Sequence, residues 1–389
     1  MSSTRHSMSE LQAIPQMDLA AQYAAIGMEI REAVTSVLAS QQFVLGKEGA
    51  ALEREIAELC GVQYGVGVAS GTDALILALR AVGVRAGDEI ILPPFTFVAT
   101  GSAVSALGAK PVFADIDPRT FNIHPDEIAK RLSPRTRAIL VVHLYGLAAD
   151  MDPIQSVAQR AGIPVVEDNA QAIGATYKGR PTGALGDAAC TSFYPTKNLG
   201  AYGDAGMIVT NSAQTDARLR TLRNHGQASR YNSVEPGWNS RLDELQATIL
   251  RVKLRYLRDW ENARRSHAAE YSKLLAPVSS VKTPNIPQDC EHVFHQYTIR
   301  AQRRDDLQRF LADRKIGNAA YYPVPLHLQP IYADLGHQRG SFPESERAAN
   351  EVVSLPMFPE LKSEQIQRVA AAIAEFYRGE LSQPVLFSV

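Results

Sequence analysis

Between residues 64 and 210 short apolar runs alternate with helix-compatible stretches, and this alternation limits the fold more than any other feature of the chain. The runs fall at 65–69, 90–92, 111–114, 138–142 and 165–167, with helical patterns near 73–82, 98–107, 125–132 and 152–161 between them. Strands separated by helix-length crossovers predict a mostly parallel sheet sandwiched by helices, an α/β fold. Two further strand-like runs, 188–193 and 207–210, are joined by a glycine-rich segment with no helical period. Parallel neighbours need a crossover, so one antiparallel strand is expected here.

The flanks read differently. Residues 1–14 are expected to be a disordered leader. Ile26, Ile30, Val34, Val37 and Leu38 form a helical stripe, and a second helix at 48–60 stops at Gly61. Residues 243–275 are helix-compatible throughout and predict one long helix bridging two subdomains. After it come a strand at 292–300, a helix at 305–315, a proline-rich loop at 322–330 and a closing helix at 363–377. A chain of 389 residues is long for one core. The division expected is an N-terminal leader and helix (1–46), a large domain (47–259) and a smaller α+β domain (260–389).

Charge narrows the partners. The 40 basic and 41 acidic side chains are balanced and no basic block occurs, which argues against nucleic acid or a membrane surface as partner. No run approaches the ~18 apolar residues of a membrane span. The first twelve residues lack an apolar signal core, so a cytoplasmic protein is expected. Cys60, Cys190 and Cys290 are too scattered for a disulfide framework or a zinc site.

Three features carry chemistry. Lys197 lies on a glycine-rich loop just past a strand that ends at Ser192. A lysine partly desolvated there favours the neutral amine that attacks carbonyls, although an isolated lysine is ordinarily solvated surface. Ser70, Gly71 and Thr72 follow a strand and open a helix. Free N–H groups, hydroxyls and the helix dipole make this an anion cradle, or Ser70 or Thr72 is a plain helix cap. Ser70 also stands where the third glycine of a dinucleotide fingerprint belongs, which disfavours a nicotinamide cofactor. Asp168 ends a buried strand at the sheet edge where such folds bind ligands; it either keeps a heterocyclic nitrogen protonated or caps a helix. Gln171, three residues on, can bond a ring substituent. A phosphate cradle, an acid for a pyridinium and an imine-forming lysine are what pyridoxal 5'-phosphate requires.

At these residues the chain resembles the DegT/DnrJ/EryC1/StrS sugar aminotransferases, of the fold-type I pyridoxal-phosphate enzymes. The similar stretches are Ala69-Ser-Gly-Thr-Asp-Ala-Leu, Pro94-Phe-Thr-Phe-Val-Ala-Thr, Val142-His-Leu-Tyr-Gly, Glu167-Asp-Asn-Ala-Gln and Ser192-Phe-Tyr-Pro-Thr-Lys-Asn-Leu-Gly. They continue with Arg223-Asn-His-Gly, Asn239-Ser-Arg-Leu-Asp-Glu-Leu-Gln and Tyr322-Pro-Val-Pro-Leu-His-Leu-Gln-Pro. The resemblance implies an aspartate-aminotransferase-like large domain and a homodimer with shared active sites. It implies that Lys197 holds the cofactor as a Schiff base and shuttles protons. Asp168 pairs with the pyridine nitrogen and Gln171 lies beside the phenolic oxygen. Gly71, Thr72 and Ser192 contact the phosphate, and Phe97 stacks on the ring unless it is ordinary core. Asn239 reaches the phosphate from the other subunit, its alternative being a cap on the helix at 242–246.

The implied reaction is amination of a nucleotide-linked 3-keto or 4-keto deoxysugar with L-glutamate as donor. A same-fold sugar dehydratase would carry histidine in place of Lys197. A regulatory protein that binds cofactor or nucleotide sugar without turnover is the rival from another class. Three positions depart from the resemblance: Asn169 stands where alanine is common, Ile173 where histidine is frequent, and Ala205 where glycine is usual. Ile173 is expected to alter the substrate side of the pocket. His292 and His295 are expected on opposite faces of a strand, which argues against a metal site. Tyr322 and His327 either line the substrate pocket or belong to a plain turn.

Overall fold

The alternation at 64–210 builds one sheet. A computed structural model describes residues 12–380, and within them seven strands make it: β1 (Tyr64–Val68), β2 (Glu89–Leu92), β3 (Lys110–Phe113), β4 (Thr136–Val142), β5 (Val165–Asp168), β6 (Ala188–Ser192) and β7 (Gly206–Thr210). Their spatial order is β1-β7-β6-β5-β4-β2-β3. β2 to β6 pair in parallel, whereas β7 runs antiparallel to both β1 and β6, as the helix-free joint predicts. Register then fixes who meets whom at one edge. Asp168 lies opposite Val142 on one side and Cys190 on the other. Ser192 and Val68 both lie opposite Gly206. The ends of β1, β5 and β6 and the start of β7 therefore share one edge of the sheet.

Helices cover both faces. α1 (Leu19–Ser40) and α2 (Lys47–Leu59) precede the sheet; α3 (Gly71–Ala81), α4 (Val98–Ala106), α5 (Pro125–Arg131), α6 (Met151–Ala161) and α7 (Ala213–Leu222) are interleaved with it. One face buries Val66, Val68, Leu75, Leu79, Ile208 and Leu222 in one core; the other buries Leu52, Ile56, Phe193, Met207 and Leu250. The N-terminus of α2 is held from a distance. Glu244 accepts hydrogen bonds from Gly46 N and Gly49 N at 2.9 Å and from Glu48 N at 2.8 Å. A carboxylate there meets both the orphan N–H groups and the positive helix end.

The run 243–275 is two helices, not one. α8 (Glu244–Leu254) stops, and α9 (Leu257–Leu275) starts after Arg255 and Tyr256. No glycine or proline marks the break. Tertiary contacts make it: Tyr256 and Trp260 pack with Ile249 and Val252 against Ile26 and Ile30 of α1, and Tyr256 and Arg255 both bond Glu29. The smaller part holds a sheet of β8 (Val281–Lys282), β9 (Tyr297–Ala301) and β10 (Val352–Leu355), with α10 (Arg304–Asp313), α11 (Pro343–Glu351) and α12 (Ser363–Glu380). Its core joins Tyr271, Tyr297, Leu311, Val353 and Ile373.

Two expectations change here. The expected leader lies mostly outside the described residues, but Ile14 is buried in this smaller core and its N–H donates to Lys315 O at 2.9 Å, so apolar burial and a backbone bond fix its end. The strand expected at 292–300 begins only at Tyr297. Residues 292–296 form a loop instead, with Phe294 in the left-handed region at φ 46°. His292 Nδ1 accepts from Phe294 N at 2.8 Å, so local pairing replaces the ladder.

Candidate active site

The shared sheet edge gathers most of the residues singled out from the sequence. Asp168, the last residue of β5, is buried. Its Oδ2 accepts from Thr100 Oγ1 at 2.8 Å and its Oδ1 from Ala170 N at 3.2 Å. Burial pushes this carboxyl up, and Thr100, Ala170 N–H and Lys197 oppose that rise. No helix follows Asp168 directly, so it caps none; its side chain instead bonds Thr100 and feels the Lys197 charge.

Lys197 follows β6 on a turn closed by its own N–H to Tyr194 O at 2.8 Å. Burial lowers its ammonium to about 8, and the nearby Asp168 charge raises it in part. Among the described residues no side chain or carbonyl pairs with its Nζ. Lys253 is lowered to about 8 as well, also by burial, but its Nζ donates to Gly200 O at 2.7 Å and sits 4.4 Å above the Tyr202 ring. Of these two lysines only Lys197 has an amine open to chemistry.

The anion cradle forms where α3 begins. Ser70 is the helix cap, its Oγ accepting from Asp73 N at 3.1 Å. Gly71 and Thr72 then present the first N–H groups of the helix. A Cβ on Gly71 would come within 2.6 Å of Ser192 Cβ, and one on Gly206 within 2.3 Å of Ser70 O. Glycine is required at both positions for this close approach. The gap so kept brings the N-terminus of α3 against Ser192, whose Oγ lies 3.0 Å from where a Gly71 Cβ would stand, and a helix N-terminus beside a hydroxyl fits a phosphate group. Ala205, the departure in this segment, only packs in the core and passes its carbonyl to Phe193 N at 2.9 Å.

Gln171 is fixed at both ends. Its Oε1 accepts from Tyr145 N at 2.7 Å and its Nε2 donates to Tyr322 OH at 3.0 Å. Tyr145 is held in the left-handed region at φ 61°, a strained state for a bulky residue. Phe97 is not core: it is 53% exposed and its ring centroid lies 5.9 Å from that of Tyr322. Asn239 lies apart from this set, exposed and bridged to Asn224. It does not cap the following helix, whose cap is Asp243.

A family model for the DegT/DnrJ/EryC1/StrS aminotransferases matches residues 24–374. The chain belongs to this aminotransferase family. A pleiotropic regulatory protein of Geobacillus stearothermophilus is 50% identical over 94% of this chain and 99% of its own length. A UDP-N-acetyl-3-dehydro-alpha-D-glucosamine 3-aminotransferase of Acidithiobacillus ferrooxidans is 47% identical over 96% and 100%. Among solved structures, S. venezuelae DesV in complex with a ketimine intermediate superposes with a TM-score of 0.92 at 44% identity, over 94% of this chain and 98% of that one. Pyridoxal 5'-phosphate is the cofactor of the DegT/DnrJ/EryC1/StrS enzymes.

Within this DegT-type site the structure adds partners that single residues did not reveal. Thr100 is the nearest, hidden in a motif quoted only for its similarity. His143 Nε2 lies 2.8 Å from Glu167 Oε2, and Glu167 also accepts from Gly183, Leu185 and Gly186 N–H groups. Since Ala149 N donates to His143 Nδ1, Nε2 carries the proton. Tyr322 joins the site through Gln171 and Phe97. His327 belongs elsewhere, bonded to Glu346 at 3.0 Å and packed on Phe342. Ile173 lies in the core with Leu52, Phe193 and Leu199, so its apolar side chain fills space and does not shape a substrate pocket. Among the described residues no group of three or more His, Cys, Asp or Glu side chains could hold a metal ion, and no helix is long and apolar enough to cross a membrane.

Proposed function

We propose that this chain transfers an amino group from L-glutamate to a nucleotide-linked 3-keto or 4-keto deoxysugar, as a homodimer whose subunits share their active sites. The observation that carries this reading is Lys197: an unpaired amine, lowered to about 8 by burial, beside a buried carboxylate. Gly71, Thr72 and Ser192 would hold the cofactor's phosphate, Asp168 its ring nitrogen, Gln171 its phenolic oxygen and Phe97 a ring face. Lys197 would hold its carbonyl carbon. When bound, pyridoxal phosphate supplies an electron sink that makes the C–H beside the amino group acidic.

The chain's own groups do the rest. Lowered to about 8, Lys197 holds a far larger neutral share near neutral pH than an ordinary lysine does. A neutral Nζ can take a proton from one carbon and return it to another, as general base and then general acid. Asp168 holds the ring proton, and its buried setting excludes the water that would compete for it. A lysine, not a histidine, stands at the shuttle position, which separates this reading from the dehydratase. The regulatory reading is carried by a relative's name alone, while the retained lysine, acid and amide favour turnover.

The test is an amino-exchange assay. Purified protein with pyridoxal phosphate should convert L-glutamate to 2-oxoglutarate in the presence of nucleotide-linked keto sugars, with mass detection of the amino sugar. Borohydride reduction should fix the cofactor on the Lys197 peptide. A label on Lys253, or loading without amino exchange, overturns the assignment. Because the neutral amine is the reactive form, cofactor uptake by the free protein should speed up with pH to about 8 and then level off.

A further inference from the structure

Asp168 accepts from one side chain, Thr100, and that partner has a side-chain partner of its own. Thr100 Oγ1 lies 2.8 Å from Asp168 Oδ2, and Thr96 Oγ1 lies 3.0 Å from Thr100 Oγ1. Both threonines are buried, Thr100 completely. Thr100 lies in the first turn of α4, and Thr96 stands just before its cap residue, Phe97. A hydroxyl has a single proton to donate. If Asp168 is ionised it only accepts, so Thr100 donates to it, and the Thr96 proton must point to Thr100. The two bonds are then ordered head to tail and end on a negative charge. If Asp168 were protonated, that order would lose its anchor.

We propose that Thr100, braced by Thr96, is a positioning residue that keeps Asp168 ionised and turned for a ring proton. The proposal rests on the reading of Asp168 as the acid that holds the cofactor's ring nitrogen. Its physical basis is the opposition of two effects. Burial raises the Asp168 carboxyl, and a buried charge persists only when hydrogen-bonded or paired. A charge-assisted hydrogen bond from a rigid helical hydroxyl is among the stronger neutral-group contributions available. Other charged or titratable groups face Asp168: Lys197 after β6, His143 at the end of β4, Cys190 on β6 and Tyr322 from the smaller part. Lys197 helps the carboxylate, whereas His143, whose Nδ1 accepts from Ala149 N, is neutral and adds no charge. Cys190 and Tyr322 are themselves raised by burial and by Asp168, so they stay neutral and add nothing to its charge. Lys197 changes charge during the reaction, which leaves the Ala170 N–H at Oδ1 and the Thr100 hydroxyl at Oδ2 as the constant supports, Thr100 being the one a side-chain substitution can remove.

Thr100→Val keeps the shape and removes the proton. In cofactor-free protein, carboxyl carbon NMR should show Asp168 titrating about 1–2 pH units higher in Thr100→Val than in the parent. In loaded protein with ring-labelled cofactor, the nitrogen resonance should move toward the unprotonated form. Turnover should fall on the order of tenfold to a hundredfold in kcat with little change in KM. Thr100→Ser should restore all three, and Thr96→Val should move them the same way by less. If the valine chain does not fold, Thr100→Ala serves the same comparison. A variant that melts earlier but keeps the Asp168 titration and the ring nitrogen signal shows that Thr100 only packs, and the proposal is wrong. Asp168→Asn separates the two readings: if it turns over normally, the pyridinium role fails, whereas normal Thr100→Val beside an inactive Asp168→Asn defeats the threonine role alone.

Discussion

At the scale of single residues, Asn169 is the most anomalous side chain near the site. It is fully buried, it follows Asp168 directly, and neither Oδ1 nor Nδ2 has a hydrogen-bond partner. An unsatisfied buried amide costs about 1–3 kcal/mol. Asn169→Ala therefore exchanges a desolvated amide for a small void. The void returns part of the gain, so a net stabilisation of about 1 kcal/mol and a melting rise of about 2 °C are expected. Calorimetry of the cofactor-free protein checks it, with turnover measured alongside. A clear loss of stability, or a fall in kcat at unchanged stability, would mean the amide is partnered in the working protein. Lys197 teaches the complementary lesson: its type and loop were legible in sequence, but Lys253 has the same lowered ammonium. The Gly200 carbonyl and Tyr202 ring at the Lys253 amine, and Asp168 near Lys197, tell the two apart.

Elements were legible where local period and burial agree. The strands and crossover helices at 64–210 follow from alternation because each element buries one face, and the antiparallel β7 follows from a joint too irregular to cross over. The break at 255–256 left no local mark, since Arg255 and Tyr256 are ordinary helix residues until Glu29 and α1 are in place. Residues 292–296 read as strand because Val293, Phe294 and Tyr297 favour it. Yet the buried Arg264 guanidinium binds Phe294 O at 3.1 Å and Met357 O at 3.0 Å, which removes that carbonyl from any ladder. Thr100 was invisible for the same reason, because its partner is 68 residues away. The junction of α3 with β6 gives a prediction at this scale. Gly71→Ala puts a methyl 2.6 Å from Ser192 Cβ, so helix and strand end must part. Overpacking of this kind costs about 1–3 kcal/mol, and the cradle should lose its shape before the fold is lost. Cofactor affinity, followed by absorbance on titration, should weaken at least about tenfold while the circular dichroism spectrum stays. Unchanged affinity would place the phosphate elsewhere.

At the scale of the whole molecule, several exposed apolar side chains lie on segments before and after Asn239 and on the lysine loop. Phe43, Val44 and Leu45 are 38–48% exposed, and this segment docks on the start of α8 through Phe43 O and the Val44–Asp243 bridge. Asn239 lies four residues before Asp243, Tyr194 is 53% exposed within the lysine loop, and Tyr231 and Val234 stand out on the preceding hairpin at 84% and 62%. Such a grouping marks an interaction surface more often than solvent. Two-fold closure would bring the Asn239 segment of each subunit to the other's cradle. Because Asp243, not Asn239, caps α8, the side chain is left for that use. The expectation is tested by co-expressing a Lys197→Ala chain and an Asn239 variant that is nearly inactive alone, each with its own affinity tag. Sequential purification isolates mixed dimers. In a shared-site dimer, one site carries both lesions and the other carries none. Mixed dimers should then show about half the wild-type activity per dimer, by the counting that two-fold symmetry imposes. If Asn239 serves its own chain, every site has a lesion, mixed dimers match the weak parents, and the sites are not shared.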